Sequence, residues 1–271
     1  MNNEMPKKFV YPGPPVGCSY HNHSTWSDGT SSMEDMCRAA KAAGLKEFGL
    51  SDHFVMHPDP EEKNIDWALP VDKVGEYVDA LKKLKAELDD ENFTIRIGLE
   101  IDFFFENIDD VIAYLAPYDI DYLIGSVHYA GRFPIDHSLP PWEKLSAEEK
   151  ENVCQEYWQK VLGAAQCGKF LFLGHLDLIK KFAIFPDMER FFPLAEKVLD
   201  AASATGTAIE LNTSGWFKPC QEQYPSAAIL QAAQKRRVPV VINPDAHASS
   251  DVDRNFNVAA EVIKSVNYPV A

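Results

Sequence analysis

Six of the eight histidines in this 271-residue chain stand in short groups with carboxylates or near them: His21-Asn22-His23, Asp52-His53, His128, His175 and Asp245-Ala246-His247. Imidazole and carboxylate donors without thiolate suit Zn²⁺, Fe or Mn²⁺ and do not suit Ca²⁺ or Mg²⁺ alone. Residues two apart on a strand point to the same side, so His21 and His23 can bind one ion, and Asp245 with His247 can do so from an opposite wall. Taken singly, His175 reads as a hydrogen-bonded core residue and Glu100 as a solvated or paired carboxylate. Together at one end of a fold they repel and lack partners unless cations neutralise them. Eight or nine ligands, with Glu100 able to bridge, correspond to two or three divalent transition-metal ions.

The elements that must position these residues are apolar runs of four to six residues alternating with segments of helical periodicity, the pattern of repeated βα units. Strands are predicted at Cys18 to His23, Glu47 to Ser51, Thr94 to Glu100, Tyr122 to Val127, Phe170 to His175, Thr207 to Asn212 and Pro239 to Asn243. Most are continuously apolar, as strands buried on both faces are. The six histidines then fall at strand ends, where β/α barrels collect catalytic residues. Val74, Tyr77, Val78, Leu81, Leu84 and Leu88 keep helical spacing, and Ser31 with Glu34 reads as a capping box. Segments 54 to 71 and 129 to 145 are rich in proline and aromatics and follow strands directly, so they are expected to cover the barrel mouth. The expected organisation is an irregular leader over 1–17 and one domain over 18–271.

Composition narrows the function. The net charge of −15 disfavours nonspecific nucleic-acid binding. Five cysteines without a Cys-x-x-Cys pair argue against a thiolate zinc site and a disulfide framework. No window offers the ~18 uncharged apolar residues of a membrane span, and the leader lacks an apolar stretch after its lysines, so a cytoplasmic protein is expected.

The ordered series YHNHSTWSDGT, GLSDHF, GLEIDFF, YLIGSVHY, FLGHLDLIKKF, ELNTSGWFKP and VINPDAH resembles the PHP (polymerase and histidinol phosphatase) superfamily, over about residues 18 to 256. Within it the chain resembles the histidinol-phosphate phosphatases, on GSVHY followed by Phe133-Pro134-Ile135-Asp136 and on ELNTSG. The resemblance implies an α/β fold, a distorted (β/α)7 TIM-like barrel with its metal site at the C-terminal end of the strands. It implies that His21, His23, Glu100 and Asp245 hold one ion, Glu100, His128 and His175 a second, and Asp28, His53 and His247 a third. Where those phosphatases often carry a phosphate-binding arginine after NTSG, this chain has Trp216 and Phe217, then Lys218. Lys180 and Lys181 likewise stand where an arginine is expected. Lysine neutralises phosphate but does not clamp it bidentately.

The implied activity is metal-dependent hydrolysis of a small phosphomonoester, L-histidinol phosphate first, releasing L-histidinol and inorganic phosphate in histidine biosynthesis. Water activated by the ions and held by Glu100 and Asp245 would attack phosphorus. Asp52 is expected behind a ligand histidine, and Lys180, Lys181, Lys218 and Arg132 are the candidate substrate-binding cations. His57 and His137 fall in the covering loops. Other readings are a phosphoesterase for another small phosphomonoester or a nucleotide, a nuclease module, a non-catalytic metal-binding protein and an amidohydrolase-type enzyme.

Overall fold

Short runs of apolar residues, too short for helices and rich in Ile, Leu, Val and Phe, form strands here because both of their faces can be covered. The structure, a computed structural model, describes residues 17–62, 65–185 and 188–268; residues 1–16 of the expected leader lie outside them. In chain order the elements are β1 (Cys18–Ser19), α1 (Met33–Ala42), β2 (Glu47–Leu50), β3 (His53–Phe54), α2 (Val74–Leu88), β4 (Thr94–Asp102), α3 (Ile108–Leu115), β5 (Tyr122–Ser126), β6 (Tyr129–Ala130), β7 (Phe133–Pro134), α4 (Leu139–Glu143), α5 (Ala147–Cys167), β8 (Phe172–Leu173), α6 (Phe192–Thr205), β9 (Ala208–Asn212), α7 (Ala227–Lys235), β10 (Val240–Asn243) and α8 (Phe256–Ser265), joined by loops and short 3₁₀ turns.

Seven strands lie parallel in the order β1-β2-β4-β5-β8-β9-β10, which is the order of the chain and requires a crossover between each pair. The first and last strands approach through a parallel bridge between Asn22 and Ala246. There the His23 N–H donates to Ala246 O at 2.8 Å, and the sheet is nearly closed into a barrel. β3 pairs with β4 beyond β2, His53 opposite Glu100.

Alternation along β9 shows how the strands divide their side chains. Ile209 and Leu211 pack in the main core, which also takes in Leu199 and Val198 of α6, while Ala208 joins Tyr20, Tyr122, Ile124, Phe172 and Val241 in a second, smaller cluster. Glu210 and Asn212 share the parity of Ala208. Tyr122 fills the space beside two strands: its ring would lie 2.2 Å from a Cβ on Gly98, its hydroxyl 2.1 Å from one on Gly49.

Two strand expectations shorten by several residues and one lengthens. β1 ends at Ser19 and β8 at Leu173, because His21, His23 and His175 turn out of the regular ladder, whereas β4 runs two residues longer, to Asp102. The apolar stripe at 74–88 is α2, with Val74, Tyr77, Val78, Leu81 and Leu88 buried. The cap of α1 is displaced by one residue from the expected Ser31 and Glu34. Ser32 is the N-cap and accepts from Asp35 N, while Ser31 Oγ accepts from Ser249 N at 3.0 Å.

Candidate metal centre

Every parallel strand but β9 delivers a donor to one point, from its C-terminal end or the residues that follow it. Glu100, 1% exposed, is at its middle. Its Oε2 lies 3.2 Å from His21 Nε2, 3.5 Å from His23 Nε2 and 2.7 Å from His53 Nδ1. Its Oε1 lies 2.9 Å from His175 Nε2 and 3.6 Å from His128 Nε2. Asp245, whose backbone φ is +52°, turns after β10 to place Oδ1 3.2 Å from His23 Nε2 and 3.7 Å from His21 Nε2. On the open side Asp28 Oδ1 lies 3.3 Å from His247 Nε2 and 3.6 Å from His53 Nε2.

All nine residues expected as ligands are thus in one cluster. Ligand atoms within 4.8 Å of one another fall into four overlapping groups: His21, His23 and Asp245; His21, Glu100 and His175; His53, Glu100 and His128; and His23, Asp28, His53 and His247. His21, His23, His53 and Glu100 each join two groups, a finer sharing than the three sets implied by the resemblance, in which Glu100 alone is shared.

These residues fit metal ions by a test internal to the structure. His21 Nε2, both ring nitrogens of His23, His53 Nδ1 and Glu100 Oε2 are buried without a hydrogen-bond partner. An orphaned buried polar atom costs about 1–3 kcal/mol, so five of them, four of which meet where His21 Nε2, His23 Nε2 and His53 Nδ1 surround Glu100 Oε2, call for a cation. Charge points the same way. Burial alone would raise the Glu100 carboxyl, but His21, His53 and His128 around it hold it well below the usual carboxylate range. Burial and the neighbouring His53 and His247 push His23 down to about 3, which keeps the ring neutral with one nitrogen's lone pair free. His128 is pushed up to about 10, burial being outweighed by Asp102 and Glu100.

Behind the ligands stand residues that sequence reading did not single out. Glu210, fully buried, accepts from His21 Nδ1 and Asn243 Nδ2 on Oε1, at 2.7 and 2.9 Å, and from His175 N and Asn212 Nδ2 on Oε2, at 2.8 and 3.0 Å. Asp102 Oδ2 lies 3.0 Å from His128 Nδ1, and its Oδ1 accepts from His128 N. Such partners fix which ring nitrogen carries the proton and aim the other at the cluster. The available signal was a carboxylate inside the largely apolar strand AIELN, and a second one two residues after Glu100 at the end of GLEID.

Asp52, expected behind a histidine, instead accepts from Ser24 N, Ser24 Oγ and Ser27 Oγ at 2.7, 2.8 and 2.6 Å, and so fastens the turn that carries Asp28. Of the four candidate substrate-binding cations, Lys181 and Lys218 line the cleft above the cluster, with Arg254 beside them. Lys180 is spent elsewhere. It is buried against Asp177, Glu222 and the Gln223 carbonyl at 3.0, 2.7 and 2.8 Å. Arg132 pairs with Asp59 and Glu61 on the outer face and lines a different depression. His57 packs on Phe104 and Tyr129, away from the cluster, and His137 lines the cleft. The covering segments contribute Trp67, Tyr129, Pro134 and Asp136 to the same wall.

The sequence of residues 19–214 matches the PHP domain family model. A protein of Deinococcus radiodurans named probable histidinol-phosphatase is 32% identical over 252 residues, covering 92% of this chain and 93% of its own length. The histidinol-phosphatase of Bacillus subtilis is 25% identical over 248 residues, 84% of this chain and 92% of its own length. The structure superposes with TM-score 0.78 on the histidinol phosphate phosphatase of Lactococcus lactis solved with zinc, L-histidinol and phosphate, at 22% identity, covering 93% of this chain and 94% of that one. With the family motifs distributed along the chain and its strand ends converging on one cluster, the chain belongs to the PHP domain family.

Proposed function

We propose that the chain is a histidinol-phosphate phosphatase, hydrolysing L-histidinol phosphate to L-histidinol and inorganic phosphate in histidine biosynthesis, in the cytoplasm. The observation that carries the reading is the buried cluster around Glu100 with its orphaned donors, opening to a cleft lined by Lys181, Lys218 and Arg254. Two or three ions of zinc, iron or manganese, held by His21, His23, Asp28, His53, Glu100, His128, His175, Asp245 and His247, would supply Lewis acidity and an activated water near neutral pH.

The chain's own residues do the rest. Glu210 and Asp102 hold His21 and His128 with Nε2 toward the cluster. The cations at the cleft attract the phosphoryl oxygens and offset charge as it builds on them. Trp67 stands edge-on against His53, ring centroids 4.8 Å apart, and with Tyr129 screens that side from water. The formal charge of −15 leaves a small phosphorylated molecule the better partner than a nucleic acid.

One observation favours a second reading, a phosphatase for a different small phosphomonoester. Phe217 is exposed and lies 4.4 Å beneath the Arg254 guanidinium, so the cation at that rim comes from the segment after β10. Phosphate release from L-histidinol phosphate beside a panel of sugar phosphates and nucleotides separates the two. A kcat/KM at or above ~10⁴ M⁻¹s⁻¹, well ahead of the panel, supports the first; metal-dependent activity concentrated on another panel member replaces it with the second.

A further inference from the structure

The cleft above the cluster has two lobes of about 270 and 280 Å³. Asp28, His53, His128, Asp136 and Lys181 line both. The first lobe is completed by Trp67, Tyr129, Pro134 and His137, the second by Lys218, Arg254 and Asp251 among others. Beyond the cluster, therefore, one anion and one cation face both lobes, Asp136 and Lys181, and they face each other: Lys181 Nζ lies 3.0 Å from Asp136 Oδ2 and 2.7 Å from the Asp136 carbonyl.

Their placement follows from the hairpin. β6 and β7 pair Tyr129 with Pro134 and Ala130 with Phe133, and the Ile135 N–H returns to His128 O at 2.9 Å. Ile135 is buried, and its carbonyl accepts from Trp142 Nε1 at 2.8 Å, which pins the residue before Asp136. Asp136 therefore follows directly on the strand pairing that begins at His128. The other cleft carboxylate outside the cluster, Asp251, is occupied: Arg254 Nη1 donates to its Oδ2 at 2.8 Å and Ser250 Oγ to its Oδ1 at 3.1 Å. Asp136 Oδ1 has no such partner among the described residues.

We propose that the Asp136–Lys181 pair selects the substrate by charge pattern, accepting a phosphate monoester whose ester carbon adjoins a carbon bearing an ammonium. The ammonium meets Asp136 while the phosphoryl oxygens lie between Lys181 and the cluster. A pair of opposite charges at one edge of the cleft complements a zwitterionic β-amino phosphate and gives no gain to a neutral alkyl ester. The Trp67 and Tyr129 rings, stacked at 22° with centroids 6.2 Å apart, offer an apolar wall for the remainder of such a molecule. The inference rests on the phosphatase reading above and names the feature by which that site would choose its substrate.

The test uses the metal-replete full chain, with L-histidinol phosphate and its deamino analogue, 3-(imidazol-4-yl)propyl phosphate, which lacks the ammonium alone. The wild type is expected to prefer the amine-bearing ester by about tenfold or more in kcat/KM, the scale of a hydrogen bond to a charged group. In Asp136→Asn that ratio should fall to about one, through KM. A wild-type ratio near one overturns the proposal, and so does a ratio that survives in Asp136→Asn with both esters slowed together, since a pair that only fastens the hairpin acts on both alike. Where Asp136→Asn does not fold, Asp136→Ser is read in the same way, a surviving ratio overturning the proposal. Turnover of neither ester, with other phosphomonoesters cleaved, overturns the histidinol-phosphate reading itself.

Discussion

Replacing Glu210 by glutamine tests whether the ligands are aimed from behind. Four donors converge on its two oxygens, two on each. A glutamine offers one oxygen and one amide NH₂, so in either orientation two of the four donors face a donor. If the NH₂ replaces Oε1, His21 Nδ1 loses its acceptor and its reason to keep Nε2 free for the cluster; if it replaces Oε2, the His175 backbone N–H is stranded. Hydrogen bonds to a charged acceptor contribute about 1.5–3 kcal/mol each, so two lost bonds amount to about 3–6 kcal/mol. For a chain of this size ~1 kcal/mol moves Tm by roughly 2–4 °C, which puts the drop at about 6–24 °C in metal-free protein. Loss of such a partner also weakens metal binding about 10–100-fold. Thermal melting of stripped protein and a competitive metal titration read both. A Glu210→Gln protein that melts within about 2 °C of wild type and binds metal within twofold would refute the reasoning.

Glu100→Gln should release metal and abolish turnover while circular dichroism still reports a folded barrel; unchanged metal content and activity would remove Glu100 from the centre. Asp52→Asn should loosen the turn carrying Asp28 and weaken the ion that His247 and His53 share with it, read as lower metal stoichiometry at limiting metal, with the other ions kept. Gly98→Ala should destabilise by ~1–3 kcal/mol or more, because the new Cβ would meet the Tyr122 ring at 2.2 Å; denaturant unfolding measures it. In metal-free protein His247 and His128 are pushed up to about 9 and about 10, against burial, by Asp28 with Asp245 and by Asp102 with Glu100 respectively. Their stabilisation is full below the unfolded value of about 6.5 and lost as pH rises through 9 to 10. Stripped protein should therefore melt lower as pH goes from 6.5 to 10, widening the gap to metal-loaded protein, and a gap that stays constant would count against that charge balance.

The cluster was legible in the sequence because its donors sit where apolar strands stop, and strand parity alone pairs His21 with His23. Glu210 and Asp102 were harder to see, although the first interrupts an apolar strand and the second closes one, since a buried carboxylate declares its purpose only through the donors that the fold brings to it. The adjacent lysines were indistinguishable in sequence. Lys180 ends a 3₁₀ turn, and packing against Asp177 and Glu222 draws it inward while Lys181 takes the cleft. The strand lengths at β1 and β8 were misread because the histidines were read as the last residues of the strands, whereas the regular ladder stops at Ser19 and Leu173 and the chain turns there to present His21, His23 and His175. The one-residue displacement of the α1 cap reflects two adjacent serines, each followed three residues later by an acid, with only Ser32 taking the cap.

The most direct test of a metal-dependent phosphatase is phosphate release from L-histidinol phosphate by one preparation as purified, after chelator stripping, and after return of Zn²⁺, Mn²⁺ or Fe²⁺ with the bound ions counted. The expected result is activity lost on stripping and restored as two or three ions per chain return. Hydrolysis at an undiminished rate by protein shown to hold no metal would contradict the central claim.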